Sequence, residues 1–257
     1  MTAAHRPRPD RDAPPGEHRL TVVIPAFQEQ GRIGTTIARV REALADVDAD
    51  GGVEVVVVDD GSADATAAEA KEAGADVVVV QPENRGKGAA VREGVLAASG
   101  RTIAFTDADL AYPPGQITRL LDEVEAGWDV VVGSRRHPDT TTIVEARRVR
   151  DVGGRVINAL THAVLEGDYK DTQCGLKAFR SDAGRAIFER SRIDGFAFDV
   201  EAFVVAERNG LSITEVPVEV ENSIQSTVRI VRDAARLVRD LWRIRGWAKA
   251  GAYNLPN

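Results

Sequence analysis

The sequence predicts an α/β domain with a mostly parallel central sheet and helices on both faces. Short valine-rich runs that are mostly apolar alternate along the chain with longer amphipathic stretches. Strands of this composition are typical of parallel sheets that are buried on both faces. The 257 residues, 43% of them hydrophobic, suffice for one large domain or two small ones.

The first five predicted strands and the helices between them form a Rossmann-like half over about residues 20–135. We expect strands at 20–26, 53–60, 76–80, 102–109 and 128–135, and helices at 30–46, 63–73, 86–98 and 114–126. Ligands of such sheets bind at the carboxyl ends of the strands. The polar segments PAFQE, DDGSADAT and DAD are all predicted at that one edge.

Beyond residue 135 the composition becomes more mixed. We expect a helix at 145–165, the mixed segment DTQCGLKAFR, helices at 182–190 and 198–209, a strand at 211–220 and a last helix at about 226–246. The chain shows neither an internal repeat nor an interior low-complexity linker. We therefore predict a single domain over 20–246, with residues 136–246 as its second half.

Charge and composition limit the classes of partner and the cellular locations that we expect for this protein. The net charge of -7 and the isoelectric point near 5.3 disfavour a nucleic-acid-binding protein. Residues 1–19, rich in proline and charge, predict a disordered tail without the apolar core of a signal peptide, and residues 247–257 predict a C-terminal tail. A single cysteine, Cys174, and the lack of a membrane-length apolar run indicate a cytoplasmic protein.

Two aspartates come directly after the fourth predicted strand. Asp107 and Asp109 are two residues apart, so their side chains would point to the same side of an extended chain. One interpretation is a solvated turn that caps the helix opened by Pro113 and Pro114. The other is a site for a hard divalent cation, which prefers oxygen ligands and would neutralise both charges.

Two more turns belong to the same predicted edge. Asp59-Asp60-Gly61-Ser62 is either a capped turn or an acidic pair that accepts hydrogen bonds from a base or ribose. The segment Asn84–Gly88 could cradle a phosphate with its backbone N–H groups, although its glycine spacing is not that of a Walker A loop. The Gly-x-Gly-x-x-Gly pattern is absent after the first strand, which disfavours an NAD enzyme. Together with the carboxylate pair, the two turns indicate a nucleoside-diphosphate pocket.

Seven segments, taken in order, share the sequence patterns of one known family. They are VVIPAFQEQGRI, VVVVDDGSADAT, NRGKGAAVREG, FTDADLAYPP, DVVVGSR, DTQCGLKAF and GFAFDVEAFVVAERNG with ITEVPVEV. They resemble the inverting family-two glycosyltransferases of the glycosyltransferase A fold. Within these, the chain looks most like the dolichyl-phosphate β-glucosyltransferases, with the dolichyl-phosphate mannosyltransferases next. NRGKG together with DTQCG and GFAFDVE is more specific and favours the branch that acts on polyprenyl phosphates.

The resemblance implies roles for individual residues on the donor side. The base and ribose of a nucleotide would be lined by Pro25, Glu29, Asp59 and Asp60, with Lys87 near that pocket. Asp107 and Asp109 would hold Mg²⁺ or Mn²⁺ against the diphosphate.

On the acceptor side, the resemblance implies that Arg135 and Arg150 bind a phosphate and act in catalysis together with Asp109. Asp199 and its neighbour Glu201 either open a helix whose dipole favours acids, border the sugar, or pair with these arginines. The chain departs from the family pattern at three places. Gly154 replaces a serine, Ala111 replaces a glutamine of the mannosyltransferases, and Gln225-Ser226-Thr227-Val228 replaces Gly-Ser-Lys-Leu.

The implied reaction is a metal-dependent, inverting transfer of a hexose from a nucleotide sugar, with UDP-glucose the first choice, to a polyprenyl or dolichyl phosphate. GDP-mannose or a UDP-N-acetylhexosamine are alternative donors. A glycan hydroxyl is an alternative acceptor, for which Asp199 would be the base. A non-catalytic subunit that binds sugar nucleotides is the remaining alternative.

The last predicted helix is amphipathic and lies in a basic segment. Residues 228–250 contain seven Lys or Arg and two Asp, and therefore carry a charge of +5. Val228, Val231, Ala235, Val238 and Trp242 recur at steps of three or four. This stripe either packs on the core or lies on a membrane surface. We expect peripheral association with the cytoplasmic face of a membrane, directly or through a small membrane partner protein.

Overall fold

The computed structural model describes residues 6–142, 161, 165, 167, 169–221 and 230–255. The strands in this part of the chain are β1 (His18–Ala26), β2 (Val53–Asp59), β3 (Val77–Val80), β4 (Gly100–Phe105), β5 (Val130–Ser134), β6 (Thr141–Thr142), β7 (Lys177–Arg180), β8 (Ile213–Pro217) and β9 (Glu219–Val220). The helices are α1 (Ile33–Ala43), α2 (Ala45–Ala49), α3 (Thr66–Glu72), α4 (Lys87–Ala97), α5 (Gln116–Glu125), α6 (Ser181–Phe188), α7 (Phe198–Arg208) and α8 (Ile230–Lys249).

Seven of these strands form one central sheet in the order β3-β2-β1-β4-β7-β5-β8. All neighbouring pairs are parallel except those of β7, which runs antiparallel to both β4 and β5. The two short strands β6 and β9 pair separately. The mostly parallel α/β architecture predicted from the sequence is confirmed.

The core of the domain follows from the valine-rich strands. Every residue of β2 is buried, as expected for a parallel strand that is covered on both faces. On one face, α4 lies close to the sheet at Gly94, where a larger side chain would overlap Val23 and Val58. The helix can approach the sheet this closely because residue 94 has no side chain.

The sequence did not predict β7 as a strand. Its four residues begin with Lys177 and end with Arg180, so they form no apolar run. Pairing with β4 and β5 nonetheless buries Lys177 in the middle of the sheet. Because β7 inserts between these strands, residues 171–177 lie beside the carboxyl end of β4.

The sequence analysis expected a disordered tail at 1–19 and a C-terminal tail at 247–257, and in both segments some of the described residues contact the folded domain. Near the N-terminus, Arg8 and Arg11 both pair with the buried carboxylate of Asp129. Near the C-terminus, the Tyr253 ring is fully buried and its hydroxyl donates a hydrogen bond to Glu201 (2.7 Å). Buried partners in the domain thus hold the described residues near both termini. Local composition does not reveal such long-range contacts.

The last helix packs with a stripe different from the predicted one. Its buried residues include Leu237, Leu241 and Ile244, whereas Trp242 is 70% exposed. Residues 226–229 of the predicted helix, and residues 145–160 of the earlier one, lie outside the described part of the chain. None of the helices that the structure describes combines the length and the apolar character needed to span a membrane.

Candidate active site

The carboxyl ends of three adjacent strands, β2, β1 and β4, bring the predicted donor-side residues to one edge of the sheet. Ala26 at the end of β1 is in register with Asp59, and Val23 is in register with Phe105 two residues before Asp107. The loops after β1 and β4 each contain a non-glycine residue with left-handed backbone, Gln28 (φ 56°) and Leu110 (φ 47°). Strained backbone of this kind is often found at functional sites.

The acidic turn after β2 packs against the glycine turn that begins α4. Asp60 accepts hydrogen bonds from the backbone N–H groups of Arg85 (2.9 Å) and Gly86 (2.8 Å). Burial raises the pKa of Asp60, and these two hydrogen bonds partly oppose that shift. Asp59 is buried beside it and accepts a hydrogen bond from the N–H of Ser62 (3.0 Å). The two turns predicted separately from the sequence therefore form one surface.

Four charged side chains extend from this surface into the domain. Nζ of Lys87 lies 2.5 Å from Oδ1 of Asp107, and Nζ of Lys177 lies 2.6 Å from Oδ1 of Asp199. Burial alone would lower the pKa of Lys87, but the charges of Asp107 and Asp199 outweigh it and raise the pKa. Both ammonium groups lie within 6 Å of the centre of the Phe105 ring, at 5.8 and 5.5 Å.

Asp109 completes the acidic loop after β4. One of its oxygens accepts a hydrogen bond from the backbone N–H of Ala111 (3.1 Å). Although solvent reaches its side chain, loss of hydration within the loop, together with the charge of Asp107, raises the pKa of Asp109. The pKa of Glu29 is raised as well, by burial and by Asp109, while its ion pair with Arg32 (2.8 Å) opposes the shift. Several carboxylates thus crowd together at this edge.

Asp107 and Asp109 are suited to a divalent cation whose coordination sphere is completed by other ligands. Among the described residues, no group of three or more His, Cys, Asp or Glu side chains could enclose a metal ion. Mg²⁺ usually takes one or two carboxylates together with water and substrate phosphates. The charge of Asp107 contributes to the raised pKa of Asp109, and a cation between them would relieve this repulsion.

Arg135 follows β5 and is held by Asp171. The backbone N–H and Nε of Arg135 donate to Oδ2 of Asp171 (3.0 and 2.6 Å), and Nη2 donates to Oδ1 (2.8 Å). The arginine side chain is 45% exposed, whereas that of Asp171 is 5% exposed. Arg150, the second predicted phosphate-binding arginine, lies outside the described residues.

The remaining predicted residues take different places. Pro25 is half-buried in β1, opposite Val58. Asp199 lies in the first turn of α7, but its partner is Lys177 rather than an acceptor-binding arginine. Glu201 accepts hydrogen bonds from two backbone N–H groups and from Tyr253, as a structural residue would.

Three residues beside the site were not singled out from the sequence: Asp171, Gly175 and Lys177, all in the DTQCGLK segment. Lys177 donates a hydrogen bond to the carbonyl of Cys174 (2.6 Å), and a side chain on Gly175 would overlap the Asp107 carboxylate. Burial raises the pKa of the Cys174 thiol to about 11, which fits packing better than reactivity. The signal that could have found these residues was the motif itself, which contains an acid, a glycine and a lysine within seven positions.

Residues 21–188 match glycosyl transferase family 2. The dolichyl-phosphate β-glucosyltransferase of Drosophila melanogaster is 32% identical and covers 93% of this chain and 78% of its own length. The enzyme of the same name from Saccharomyces cerevisiae is 30% identical and covers 91% of this chain and 76% of its own length. Glycosyltransferase AglD of Haloferax volcanii is 30% identical over 88% of this chain, but the chain spans only 37% of its length.

Solved structures with low sequence identity share the fold. A mycobacterial protein superimposes with a TM-score of 0.67 at 23% identity, covering 89% of this chain and 75% of its own. Glucosyl-3-phosphoglycerate synthase from Mycobacterium tuberculosis, crystallised with Mn²⁺, UDP-glucose and phosphoglyceric acid, gives 0.63 at 21% identity, covering 93% and 81%. These likenesses confirm the predicted glycosyltransferase A fold.

Proposed function

Because the chain belongs to glycosyl transferase family 2, we propose that it transfers glucose from UDP-glucose to a polyprenyl phosphate with inversion at the anomeric carbon. The names of the relatives at about 30% identity support this choice of sugar and acceptor. The observation that carries the proposal is the arrangement on one sheet edge of the acidic turn, Lys87 and the Asp107–Asp109 pair, with Arg135 after β5, which β7 separates from β4.

On the donor side, Asp59 and Asp60 end the strand where a nucleotide base and ribose would lie, with Pro25 and Glu29 on the adjacent strand end. Lys87 gives one ammonium group at the start of α4, while the backbone N–H groups of Arg85 and Gly86 before it donate to Asp60. Asp107 and Asp109 would hold Mg²⁺ or Mn²⁺. When bound, such an ion would offset the charge that develops on the departing diphosphate.

On the acceptor side, a phosphate monoester needs no protein base. Its second pKa is about 6, so it is already a nucleophilic anion at neutral pH. The protein then has to orient this anion, and the Arg135 guanidinium is suited to do so through charge-assisted hydrogen bonds.

A glycan hydroxyl, by contrast, would need a carboxylate base. The best candidate, Asp199, has one oxygen 2.6 Å from the buried ammonium group of Lys177. Burial raises the pKa of Asp199, and the two nearby lysines oppose that shift. Its engagement in this ion pair favours a phosphate acceptor over a hydroxyl acceptor.

An acceptor with a long isoprenoid chain is found at a membrane surface, and the exposed face of α8 is suited to reach one. Between residues 236 and 250 the exposed positions carry five basic side chains and Trp242, and none of them is acidic. Arg239 and Arg243 flank Trp242, and both lie near the buried Asp240. A basic face with one large aromatic side chain fits the surface of an anionic membrane.

The proposal is tested with purified protein, Mn²⁺ and a panel of radiolabelled nucleotide sugars, each offered with a polyprenyl phosphate and, separately, with phosphoglyceric acid. We expect label from UDP-glucose in the organic extract, as a lipid phosphate glucoside with β configuration by NMR. Label that stays in the aqueous phase with phosphoglyceric acid would contradict the lipid acceptor. Transfer from GDP-mannose or a UDP-N-acetylhexosamine instead would contradict the choice of donor.

A further inference from the structure

We propose that Asp171 is the positioning residue for Arg135, and that the loop 171–177 thereby sets where an acceptor phosphate lies relative to Asp107. The inference rests on the proposed function, because it takes Arg135 as the arginine that meets the acceptor. Four observations carry it, and none of them involves the residues outside the described part of the chain.

First, the contact between the two side chains fixes the plane of the guanidinium. Asp171 accepts from Nε and Nη2 of Arg135 through both of its oxygens, and it also accepts from the Arg135 backbone N–H. Such two-point geometry restricts an arginine far more than a single hydrogen bond does. Burial alone would raise the pKa of Asp171, but Arg135 outweighs it and lowers the pKa, so the carboxylate stays charged.

Second, Asp171 is itself fixed to the sheet. The backbone N–H groups of Lys170 and Asp171 donate to the two carboxylate oxygens of Glu215 (3.0 and 2.9 Å). Glu215 lies in β8, in register with Val132 of β5, and β5 ends one residue before Arg135. The pairing of β5 with β8 therefore fixes the position of Asp171 relative to Arg135.

Third, the other end of the same loop contacts the metal aspartate. Lys177 is 1% exposed and joins the Cys174 carbonyl to the Asp199 carboxylate. This fixes the peptide that leads into Gly175, where an added Cβ would overlap Oδ2 of Asp107. Asp171 and Gly175 are four residues apart, so a short loop connects the acceptor arginine to the donor site.

Fourth, the ion pair leaves a defined edge of the guanidinium for a ligand. Nε and Nη2 face Asp171, and among the described residues no hydrogen bond involves Nη1. Since the arginine is 45% exposed, that edge can meet a phosphate in one orientation. If Asp171 instead competed with the phosphate for Arg135, its removal would strengthen binding of the acceptor, so the two views predict opposite results.

The experiment compares Asp171→Asn, Asp171→Glu, Arg135→Ala and the double variant Asp171→Asn with Arg135→Ala. For Asp171→Asn we expect the KM for a short-chain polyprenyl phosphate to rise about tenfold or more, with the KM for UDP-glucose changed by less than about twofold. Asp171→Glu keeps the charge and should give an intermediate value, which also carries the test if the asparagine variant does not fold. The double variant should be no worse than Arg135→Ala, because Asp171 acts through Arg135.

A matched control is Asp182→Asn. It removes the carboxylate of another Arg–Asp pair, between Arg180 at the end of β7 and Asp182 in α6. It should leave both KM values unchanged. Acceptor binding by Asp171→Asn that equals or exceeds that of the wild type, or additive effects in the double variant, would overturn the inference. An unchanged acceptor KM in Arg135→Ala would instead show that the proposed acceptor site is wrong, and the inference would fall with it.

Discussion

Lys87 and Asp107 form an ion pair at the centre of the candidate active site, with 2.5 Å between Nζ and Oδ1. The other oxygen of Asp107 faces Gly175, so the two oxygens of this carboxylate have different neighbours. A divalent cation on Asp107 and Asp109 must share this carboxylate with Lys87 or displace it. Lys87 therefore balances the charge of the acidic loop and would compete with a metal ion that bound there.

This relationship predicts the effect of Lys87→Met on metal binding. Removing the competing cation should tighten Mn²⁺ binding in the absence of nucleotide by about fivefold, the equivalent of about 1 kcal/mol for a partly exposed ion pair. Binding of UDP should weaken, because a positive charge near the diphosphate is lost. Free Mn²⁺ measured by EPR checks the first expectation and calorimetry with UDP checks the second, with Lys71→Met in α3 as an exposed control for both. Weaker Mn²⁺ binding by Lys87→Met would mean that Lys87 organises the carboxylates instead of competing for them.

Asp109→Asn tests the metal role directly. The substitution replaces an exposed carboxylate by an amide, so the thermal unfolding midpoint should stay close to that of the wild type. Turnover should fall by about 100-fold or more, because the charge on the departing diphosphate would no longer be stabilised. Asp50→Asn, at a side chain that is 84% exposed, serves as the control. Activity within about threefold of the wild type, or activity that EDTA does not reduce, would exclude this role for Asp109.

Gly175→Ala probes the contact between the DTQCG loop and Asp107. A methyl group there would overlap Oδ2 of Asp107, so we expect the carboxylate to move and Mn²⁺ affinity to fall by about tenfold or more. Gly246→Ala is the matched control, since nothing lies within 4 Å of its new methyl group. Because Gly246 lies within α8, this control should raise stability by up to about 1 kcal/mol. Unchanged Mn²⁺ affinity in Gly175→Ala would show that the loop does not position Asp107.

The exposed face of α8 gives a prediction about membranes. Arg236→Glu combined with Lys249→Glu should weaken binding to phosphatidylserine-containing vesicles by about 30-fold or more, since each basic residue near anionic lipid contributes about 1 kcal/mol. Activity on a long-chain acceptor should fall, while activity on a short, water-soluble one should not. Lys71→Glu with Arg119→Glu makes the same change in charge on α3 and α5. Equal loss of vesicle binding in this control would indicate net charge rather than the α8 face, and unchanged sedimentation of the α8 variant would point to a partner membrane protein.

The contacts of Asp129 predict how stability depends on pH. Burial would raise the pKa of Asp129, but hydrogen bonds from Ser212, Arg11 and Arg8 outweigh it and lower the pKa below its ordinary value of 3.8. The stabilisation from these contacts is therefore present above about pH 4 and is lost as the pH falls through the folded-state pKa.

Arg8→Ala with Arg11→Ala should lower the free energy of unfolding by about 1 to 3 kcal/mol at pH 7. The difference from the wild type should shrink in acid, because protonated Asp129 gains little from a cation. Urea unfolding between pH 7 and pH 3, with Arg6→Ala as an exposed control, measures it. A difference that stays constant over this range would show that the arginines act by packing rather than by charge.

The sequence predicted the strands of the parallel half closely, because short valine-rich runs are typical of buried strands in parallel sheets. β2 was expected at 53–60 and spans Val53–Asp59, and α4 was expected at 86–98 and spans Lys87–Ala97. The position of the acidic turns followed as well, because the carboxyl ends of parallel strands meet at one edge. The family resemblance then gave those positions their expected roles.

Local patterns failed where burial depends on a distant partner. β7 has charged residues at both ends, and only the sheet on either side of it makes Lys177 a buried residue. Residues 8 and 11 resemble a solvated tail until the carboxylate of Asp129 is placed beneath them. In α8, helical spacing allowed more than one apolar stripe, and packing chose Leu237, Leu241 and Ile244 while leaving Trp242 in solvent.

The amino-acid sequence by itself thus determined where charged side chains follow apolar strands, and so which residues are candidates for binding a nucleotide, a metal ion and a phosphate. The tertiary structure decided their partners. It paired Lys87 with Asp107, Lys177 with Asp199 and Arg135 with Asp171, across separations of 20, 22 and 36 residues. Such pairings depend on the order of strands in the sheet, and the insertion of an antiparallel strand between β4 and β5 set that order. Spacing along the chain carries no information about which opposite charge will lie within a few ångströms once the core has formed.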